Sequence, residues 1–159
     1  MATITSGLTI TANDSSHATP GPLSFALNLN QSKAISGLTK VETKIMDITA
    51  GSEDDATHMI FDASSYLGTN PAEKENDGGY VYLRNMLADP SDNTHDIYIG
   101  FTAGAKDLAT DGNAERLMTL KPGEFAFFPW SMTQDLVADI HTTHTGALEA
   151  WLFVKTTTA

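Results

Sequence analysis

The sequence predicts an all-β domain, a two-sheet β-sandwich of jelly-roll-like type with about ten short strands. The first observation is that apolar and polar residues alternate with a period of two in many short segments, as expected of strands with one buried face. The second is that turn residues separate these segments and that no amphipathic helix pattern lies between them. The third is the presence of 21 threonines, whose β-branched side chains suit pleated surfaces better than helices.

The N-terminal segment predicts a strand on a connector. Ile4, Leu8 and Ile10 fall on one face of an extended chain, and threonines occupy the other face. The segment that follows contains two prolines and a glycine, which favour turns. We therefore predict an N-terminal arm and connector over residues 1–22 and a β-sandwich over residues 23–159, within one compact domain overall.

The middle of the chain predicts three strands and a long loop. Residues 23–29 alternate clearly, residues 42–49 alternate weakly, and residues 57–61 are short and apolar. Residues 62–77 are polar and charged, and we expect a surface loop with one helical turn around residues 63–67. The segment after it, residues 80–86, is apolar on both faces, which predicts a strand buried between two layers.

The last third predicts a series of strands joined by tight turns. Lys121-Pro122-Gly123-Glu124 fits a type II turn, because proline presets φ at the second position and glycine accepts a positive φ at the third. The predicted strands cover residues 96–101, 115–120, 125–130, 135–141 and 147–155.

This last third resembles a known group of proteins. The phrase ERLMTLKPGEFAFFPW, followed by LEAWLFVK, is similar to the small β-rich structural proteins of tailed bacteriophage particles. The resemblance covers residues 79–155 and consists of a strand, a K-P-G-E-F turn, an aromatic strand and a final strand with an acidic residue and aromatics. It contains no catalytic signature.

The resemblance implies a virion structural protein, specifically a capsid decoration or cement protein. Such a protein would bind the major capsid protein on the capsid surface, after assembly in the host cytoplasm, and would stabilise the head. Because small proteins at three-fold positions of a capsid tend to be trimers, we expect a homo-oligomer and favour a homotrimer. The first 78 residues do not match the pattern, so a tail fibre or spike module that binds a carbohydrate or receptor remains the alternative.

Composition limits the partners. Nine Lys and Arg against twenty Asp and Glu give a net charge of −11, which disfavours nucleic acid as a partner. No stretch has the ~18 consecutive apolar residues of a membrane span, and we expect neither a membrane partner nor a secretory signal. The absence of cysteine excludes disulfides, thiolate catalysis and cysteine-bound zinc.

The candidate sites are weak, and we predict no catalytic residue, no metal, no cofactor and no enzyme activity. His141 and His144 are three residues apart, a spacing that would place them on opposite faces of a regular strand, and we interpret them as solvent-facing turn residues. His58 and His95 have no sequence relation to them. Neither a nucleophile elbow nor a phosphate-binding loop is present. Acidic or glycine-containing groups that we interpret as ordinary loops are Glu53-Asp54-Asp55, Asp89-Pro90-Ser91-Asp92, Gly100-Phe101-Thr102-Ala103-Gly104 and the set Asp107, Asp111, Gly112, Asn113 and Glu115.

The aromatic residues near the C-terminus allow two interpretations. We favour a core in which alternate rings point into the sandwich. However, Phe127 and Phe128 are consecutive, and a regular strand must turn them to opposite faces. One of them would then lie outward, in an oligomer or docking interface, and a carbohydrate-stacking platform is a weaker third interpretation. The residues concerned are Phe125, Phe127, Phe128, Pro129, Trp130, Trp151 and Phe153.

Overall fold

The protein is all-β. The computed structural model describes residues 2–13, 24–49, 58–66, 78–87, 93–101, 108, 116–141 and 144–155. Within these residues there are two short 3₁₀ helices, Ala63–Ser65 and Asn93–His95, and no α-helix. The described strands are β1 (Ala2–Asn13), β2 (Ser24–Thr49), β3 (His58–Phe61), β4 (Gly78–Asn85), β5 (Ile97–Phe101), β6 (Arg116–Leu120), β7 (Phe125–Trp130), β8 (Leu136–Ile140) and β9 (Thr145–Lys155).

The chain divides into two compact units. The first spans residues 1–38 and the second spans residues 39–159. The division lies after Leu38, inside β2, whereas the arm predicted from the sequence ends at residue 22, which lies outside the described residues.

The first unit is an antiparallel hairpin. Strand β1 pairs with the first part of β2, from Ala2 opposite Leu38 to Asn13 opposite Ser24. The register shifts twice, between Ala2 and Ile4 and between Ser6 and Leu8, and it is uninterrupted from Leu8 onward. The predicted N-terminal strand is therefore confirmed, and its neighbour is a strand of the same chain.

The second unit contains two four-stranded antiparallel sheets, as in a β-sandwich. One sheet has the order β2-β9-β4-β7, with β2 contributing residues 39–49, and the other has the order β3-β8-β5-β6. Both sheets contribute to one core, since buried residues of β4 and β9 cluster with buried residues of β5 and β8. Members of this core include Val81, Leu83, Ile97, Ile99, Leu136, Ala138, Ile140, Leu148, Ala150, Leu152 and Val154.

The period-two pattern selects this core correctly in β5, β8 and β9. Ile97 and Ile99 are fully buried, as are alternate residues of β9 from Leu148 to Leu152. Strand β8 is buried on both faces, which the alternation of its sequence does not predict. Leu108 contacts this second face, since its N–H donates to the buried Asp139 carboxylate over a distance of 2.9 Å.

The predicted turn is also confirmed. Gly123 has a φ of +79°, the value that a type II turn needs at its third position. The N–H of Glu124 donates to the carbonyl oxygen of Lys121 at 2.9 Å and closes the turn. The turn directs β7 back along β4, in a register that runs from Gly79 opposite Trp130 to Arg84 opposite Phe125.

Two sequence predictions are wrong in detail. Residues 24–29 and 42–49 are parts of one continuous strand, β2, because residues between them pair with β1. Strand β4 is not enclosed between two layers: Val81 and Leu83 face the core, but the residues that alternate with them are only partly buried. The outward face of β4 is therefore partly open to solvent and available to a partner.

Candidate docking surface on the outer sheet face

Six aromatic side chains share the outer face of the sheet β2-β9-β4-β7. The register aligns Tyr80 of β4 with Pro129 and Phe153, and it aligns Tyr82 with Phe127 and Trp151. Residues directly opposite each other on neighbouring strands present their side chains to the same face. We call this set the aromatic surface; its members are Tyr80, Tyr82, Phe125, Phe127, Trp151 and Phe153.

The rings of the aromatic surface contact one another. Tyr80 and Phe127 stack with centroids 5.6 Å apart and planes 9° from parallel. Trp151 and Phe153 stack at 6.2 Å, and Phe153 also meets Phe127 edge-on at 6.4 Å. Contacting aromatic side chains restrict each other's motion. Because the rings already pack against one another, binding would lose less side-chain entropy than it would for isolated rings.

The aromatic surface is partly exposed to solvent. Phe125 is 60% exposed and Trp151 is 36% exposed. With about 200 Å² for a whole aromatic side chain, the exposed rings of Phe125, Phe127 and Trp151 present roughly 300 Å². Val41 and Ile45 are exposed too, and they alternate with the core residue Ile48 and so face the same side as the rings. The largest apolar patch of a typical monomer covers about 300–600 Å² and is often functional, so the aromatic surface is a candidate interaction site.

Charges lie at one end of the aromatic surface. Arg84 of β4 stands opposite Phe125 on one side and Glu149 on the other. The Glu149 carboxylate accepts a hydrogen bond from the Trp151 indole N–H at 2.9 Å, which fixes the ring on the sheet. Asp47 of β2 is exposed beside a shallow groove of about 390 Å³ that Thr145 and Ala147 help to line. The surface thus has an apolar centre and a charged margin, the anatomy of a protein interface.

The outer face of the other sheet differs. Leu108 lies over it, fully buried, and its carbonyl oxygen accepts hydrogen bonds from the Arg116 guanidinium, which also stacks on the Tyr98 ring at 4.3 Å. Two apolar side chains there, Met59 and Leu117, are exposed to 44% and 43%. They are not in a contacting aromatic group, and they make useful controls for the aromatic surface.

The preferred interpretation of the aromatic residues as core is wrong for most of them. Only Trp130 is buried, and Phe128 packs against the core while partly exposed. Phe127 faces outward, as the consecutive pair requires, and its place in an interface stays a prediction. The sequence does not single out Tyr80 and Tyr82, because an apolar strand has the same pattern whether its second face is covered or open.

The histidines lie closer together than a regular strand allows. The N–H of His144 donates to the His141 carbonyl oxygen at 3.0 Å, so the segment turns, and the two rings lie 6.0 Å apart. The His95 ring lies 5.2 Å from His144, whereas His58 hydrogen bonds to Thr49. Within the described part of the chain, no group of three or more His, Cys, Asp or Glu residues is arranged to hold a metal ion. The acidic loop residues 53–55, 89–92, 107, 111, 113 and 115 lie outside the described residues.

Comparisons with family models, with curated proteins and with solved structures find no match. Among the described residues, no helix is long and apolar enough to cross a membrane. The chemistry of the aromatic surface is therefore the main structural evidence on function.

Proposed function

We propose that this chain is a virion structural protein of a tailed bacteriophage, a capsid decoration protein that binds the major capsid protein lattice and stabilises the head. The observation that carries the proposal is the ordered, exposed aromatic surface, which is what a docking face needs and what a catalytic site does not. The resemblance of residues 79–155 to phage structural proteins supplies the class of partner.

The chemistry of the aromatic surface specifies the complementary surface. An apolar centre of contacting rings calls for an apolar patch on the partner, because burial of these rings provides the main driving force. The net charge of −11 favours a partner that is basic around that patch. A major capsid protein with an apolar, Lys- or Arg-rimmed outer surface would meet both requirements.

The strand order supports a jelly roll as the finer description of the sandwich. Strands pair first with last through the second unit: β2 with β9, β3 with β8, β4 with β7 and β5 with β6. A long hairpin of eight strands folded over into two sheets produces this sequence of neighbours, and jelly rolls are common in viral capsid proteins. This architecture is compatible with a head location and also with a tail location.

The second candidate is a carbohydrate- or receptor-binding module of a tail fibre or spike. The observation in its favour is the flat pair of Trp151 and Phe153, on which an apolar face of a ligand could stack. One feature weighs against it, since the Trp151 N–H already donates to Glu149.

The proposal is tested by counting copies of this chain in purified particles of the phage that encodes it. Quantitative mass spectrometry against the major capsid protein should give a copy number that is a large fraction of the shell subunits. A few copies per particle, together with loss of host attachment on deletion of the gene, would support the fibre candidate. Absence of the protein from particles would contradict both candidates.

A further inference from the structure

The described strands leave four sheet edges, and three of them are poorly suited to pairing with another chain. Strand β3 has four residues, and β6 has five and begins with Arg116. Strand β7 ends one sheet but contains Pro129, which has no N–H to donate. Short edges, charged residues and proline are the usual protections against edge-to-edge association.

The hydrogen bonds at the end of β7 show which of its residues direct their backbone N–H and C=O groups away from β4, toward the open edge of the sheet. The Asn85 N–H donates to the Glu124 carbonyl oxygen at 3.0 Å, so even-numbered residues of β7 bond to β4. Alternate residues of a strand direct their backbone groups to opposite sides. The backbone groups of Phe125, Phe127 and Pro129 therefore point toward the open edge. Because Pro129 has no N–H, it interrupts the row of donors along this edge.

Strand β1 is the exception among the edges. It is twelve residues long, has no proline, and is composed only of uncharged residues. Its one strand neighbour among the described residues is β2. From Leu8 to Asn13 the pairing with β2 has no register shift, so this stretch presents a regular row of backbone N–H and C=O groups on its second side.

We propose that two copies of this chain associate by antiparallel pairing of β1 with β1, over residues Leu8–Asn13, across a twofold axis. A second strand is the partner that satisfies a regular row of alternating donors and acceptors. A second copy of this chain supplies such a strand from the same stretch, and two chains that each carry a net charge of −11 repel each other least where no charge lies. In sequence, Asp14 directly follows this stretch, and the second strand of the hairpin, residues 24–38, adds a single charged residue, Lys33.

The pairing has the symmetry of most soluble oligomers. In an isologous contact the same stretch serves on both sides, so one competent edge per copy is enough. A head-to-tail ring would need a second competent edge, and proline at an outward position of β7 weakens that edge. The inference therefore predicts a dimer instead of the trimer expected from the resemblance, and it does not depend on binding to a phage shell.

The test uses the full chain, with charge introduced on β1 and an equal charge introduced one strand away. Thr9→Lys with Thr11→Lys adds two ammonium groups to each β1, and the twofold pair would bring four of them into one short ladder. The matched control is Asn28→Lys with Ala26→Lys, because these residues stand opposite Thr9 and Thr11 in the hairpin. Both variants change the net charge from −11 to −9.

In sedimentation equilibrium at ~0.15 M salt, the wild-type chain and the control should have the mass of a dimer. The dissociation constant of the β1 lysine variant should be at least tenfold higher. The β1 lysine variant should form a mixed dimer with an equimolar amount of a double variant that carries Thr9→Glu and Thr11→Glu. A monomeric or trimeric wild-type chain would contradict the inference, and so would a β1 lysine variant that associates as the wild type does.

A second measurement needs no variant. Hydrogen exchange of the wild-type chain should show that alternate amides of residues 8–13 lose protection on dilution below the dissociation constant, while amides of β4 and β9 do not. Protection in residues 8–13 that is independent of concentration would contradict the pairing, even if lysine substitution disturbed folding of the hairpin.

Discussion

Asn85 is a buried polar side chain that links the two sheets of the sandwich. Its amide nitrogen donates to the Leu120 carbonyl oxygen at 3.1 Å and to the His95 carbonyl oxygen at 2.9 Å. Its amide oxygen accepts from the Leu87 N–H at 3.2 Å. Leu120 belongs to β6, in the opposite sheet, so one side chain satisfies backbone groups of three segments.

Substitution of Asn85 should therefore be costly. We expect Asn85→Ala to lower the free energy of unfolding by about 2–4 kcal/mol, because it leaves buried backbone groups without partners. Asn85→Asp should cost more at pH 7, since a carboxylate keeps the acceptor but cannot donate to two carbonyl oxygens. The order of the two variants is read from urea unfolding. A smaller loss for aspartate than for alanine at pH 7 would show that the donated bonds do not matter.

Tyr66 is held by a charged acceptor. Its ring meets Phe61 and Trp130 at centroid distances of 6.3 Å and 6.1 Å, and its hydroxyl donates to the Glu42 carboxylate at 2.5 Å. Glu42 also pairs with Lys40. Burial and the bond to Glu42 raise the pKa of Tyr66, and the bonds from Lys40 and from Tyr66 lower the pKa of Glu42.

These shifts predict a bell-shaped dependence on pH for the difference in stability between wild type and Tyr66→Phe. Near pH 7 the wild type should be more stable by about 1 kcal/mol. Above about pH 10 the unfolded tyrosine ionises while the folded one keeps its proton, so the wild type loses this advantage. As pH falls through the lowered pKa of Glu42, the acceptor loses its charge and the difference also shrinks. Urea unfolding at several pH values measures it, and a difference independent of pH would contradict the assignment.

At the scale of elements, Gly79 sets how closely β4 approaches its neighbours. A Cβ atom at this position would lie 2.5 Å from the Phe153 carbonyl oxygen and 2.7 Å from the Met132 Cε atom. The backbone contact cannot move aside without breaking the alignment of β4 with β9. The glycine is thus required by close packing of β4, although its φ is ordinary for a strand.

Gly79→Ala should destabilise the domain by about 1–3 kcal/mol, because it overpacks this contact. The adjacent Gly78→Ala is the matched control: a Cβ there would be 3.7 Å from the Trp130 carbonyl oxygen, an ordinary contact distance. Thermal unfolding of both variants measures the effect. Equal melting temperatures for the two alanine variants would mean that the close approach at Gly79 does not constrain the sheet.

The sequence is most informative where local chemistry decides the structure. Gly123 and the preceding proline define a turn without reference to the rest of the chain, and alternation in β9 selects its buried residues. Residues 30–41 show no clear alternation, and they are in a strand because β1 pairs with them as far as Leu38. The exposure of Tyr82 is a second feature that the sequence does not predict. It depends on whether another layer covers the sheet, which no local pattern encodes.

At the scale of the whole molecule, the distribution of charge bears on how the proposed docking would respond to salt. The net charge is −11, yet the centre of the aromatic surface carries none. If the partner surface is basic at its margin, electrostatic attraction speeds the encounter and burial of the rings holds the complex. The two contributions respond differently to salt.

Attachment to shells should therefore weaken with salt mainly through slower association. Raising the salt concentration from ~0.05 M to ~0.5 M shortens the screening length several-fold and should lower the association rate by at least tenfold, with a smaller change in dissociation. Surface plasmon resonance on immobilised empty heads separates the two rates. Association that is independent of salt would argue against a basic partner surface.

The central claim is that the aromatic surface docks on the shell, and the rupture temperature of heads that lack this protein tests it most directly. Heads are heated alone, with the wild-type protein, or with one of two double variants. The aromatic variant combines Phe125→Ser with Trp151→Ser. The control variant combines Met59→Ser with Leu117→Ser, and its changes lie on the other sheet. A ligand that binds only the intact lattice stabilises it by mass action. Wild type and control should raise the rupture temperature equally, and the aromatic variant should raise it little or not at all while it remains folded by circular dichroism. An equal increase with the aromatic variant, or no increase with the wild type, would contradict the claim.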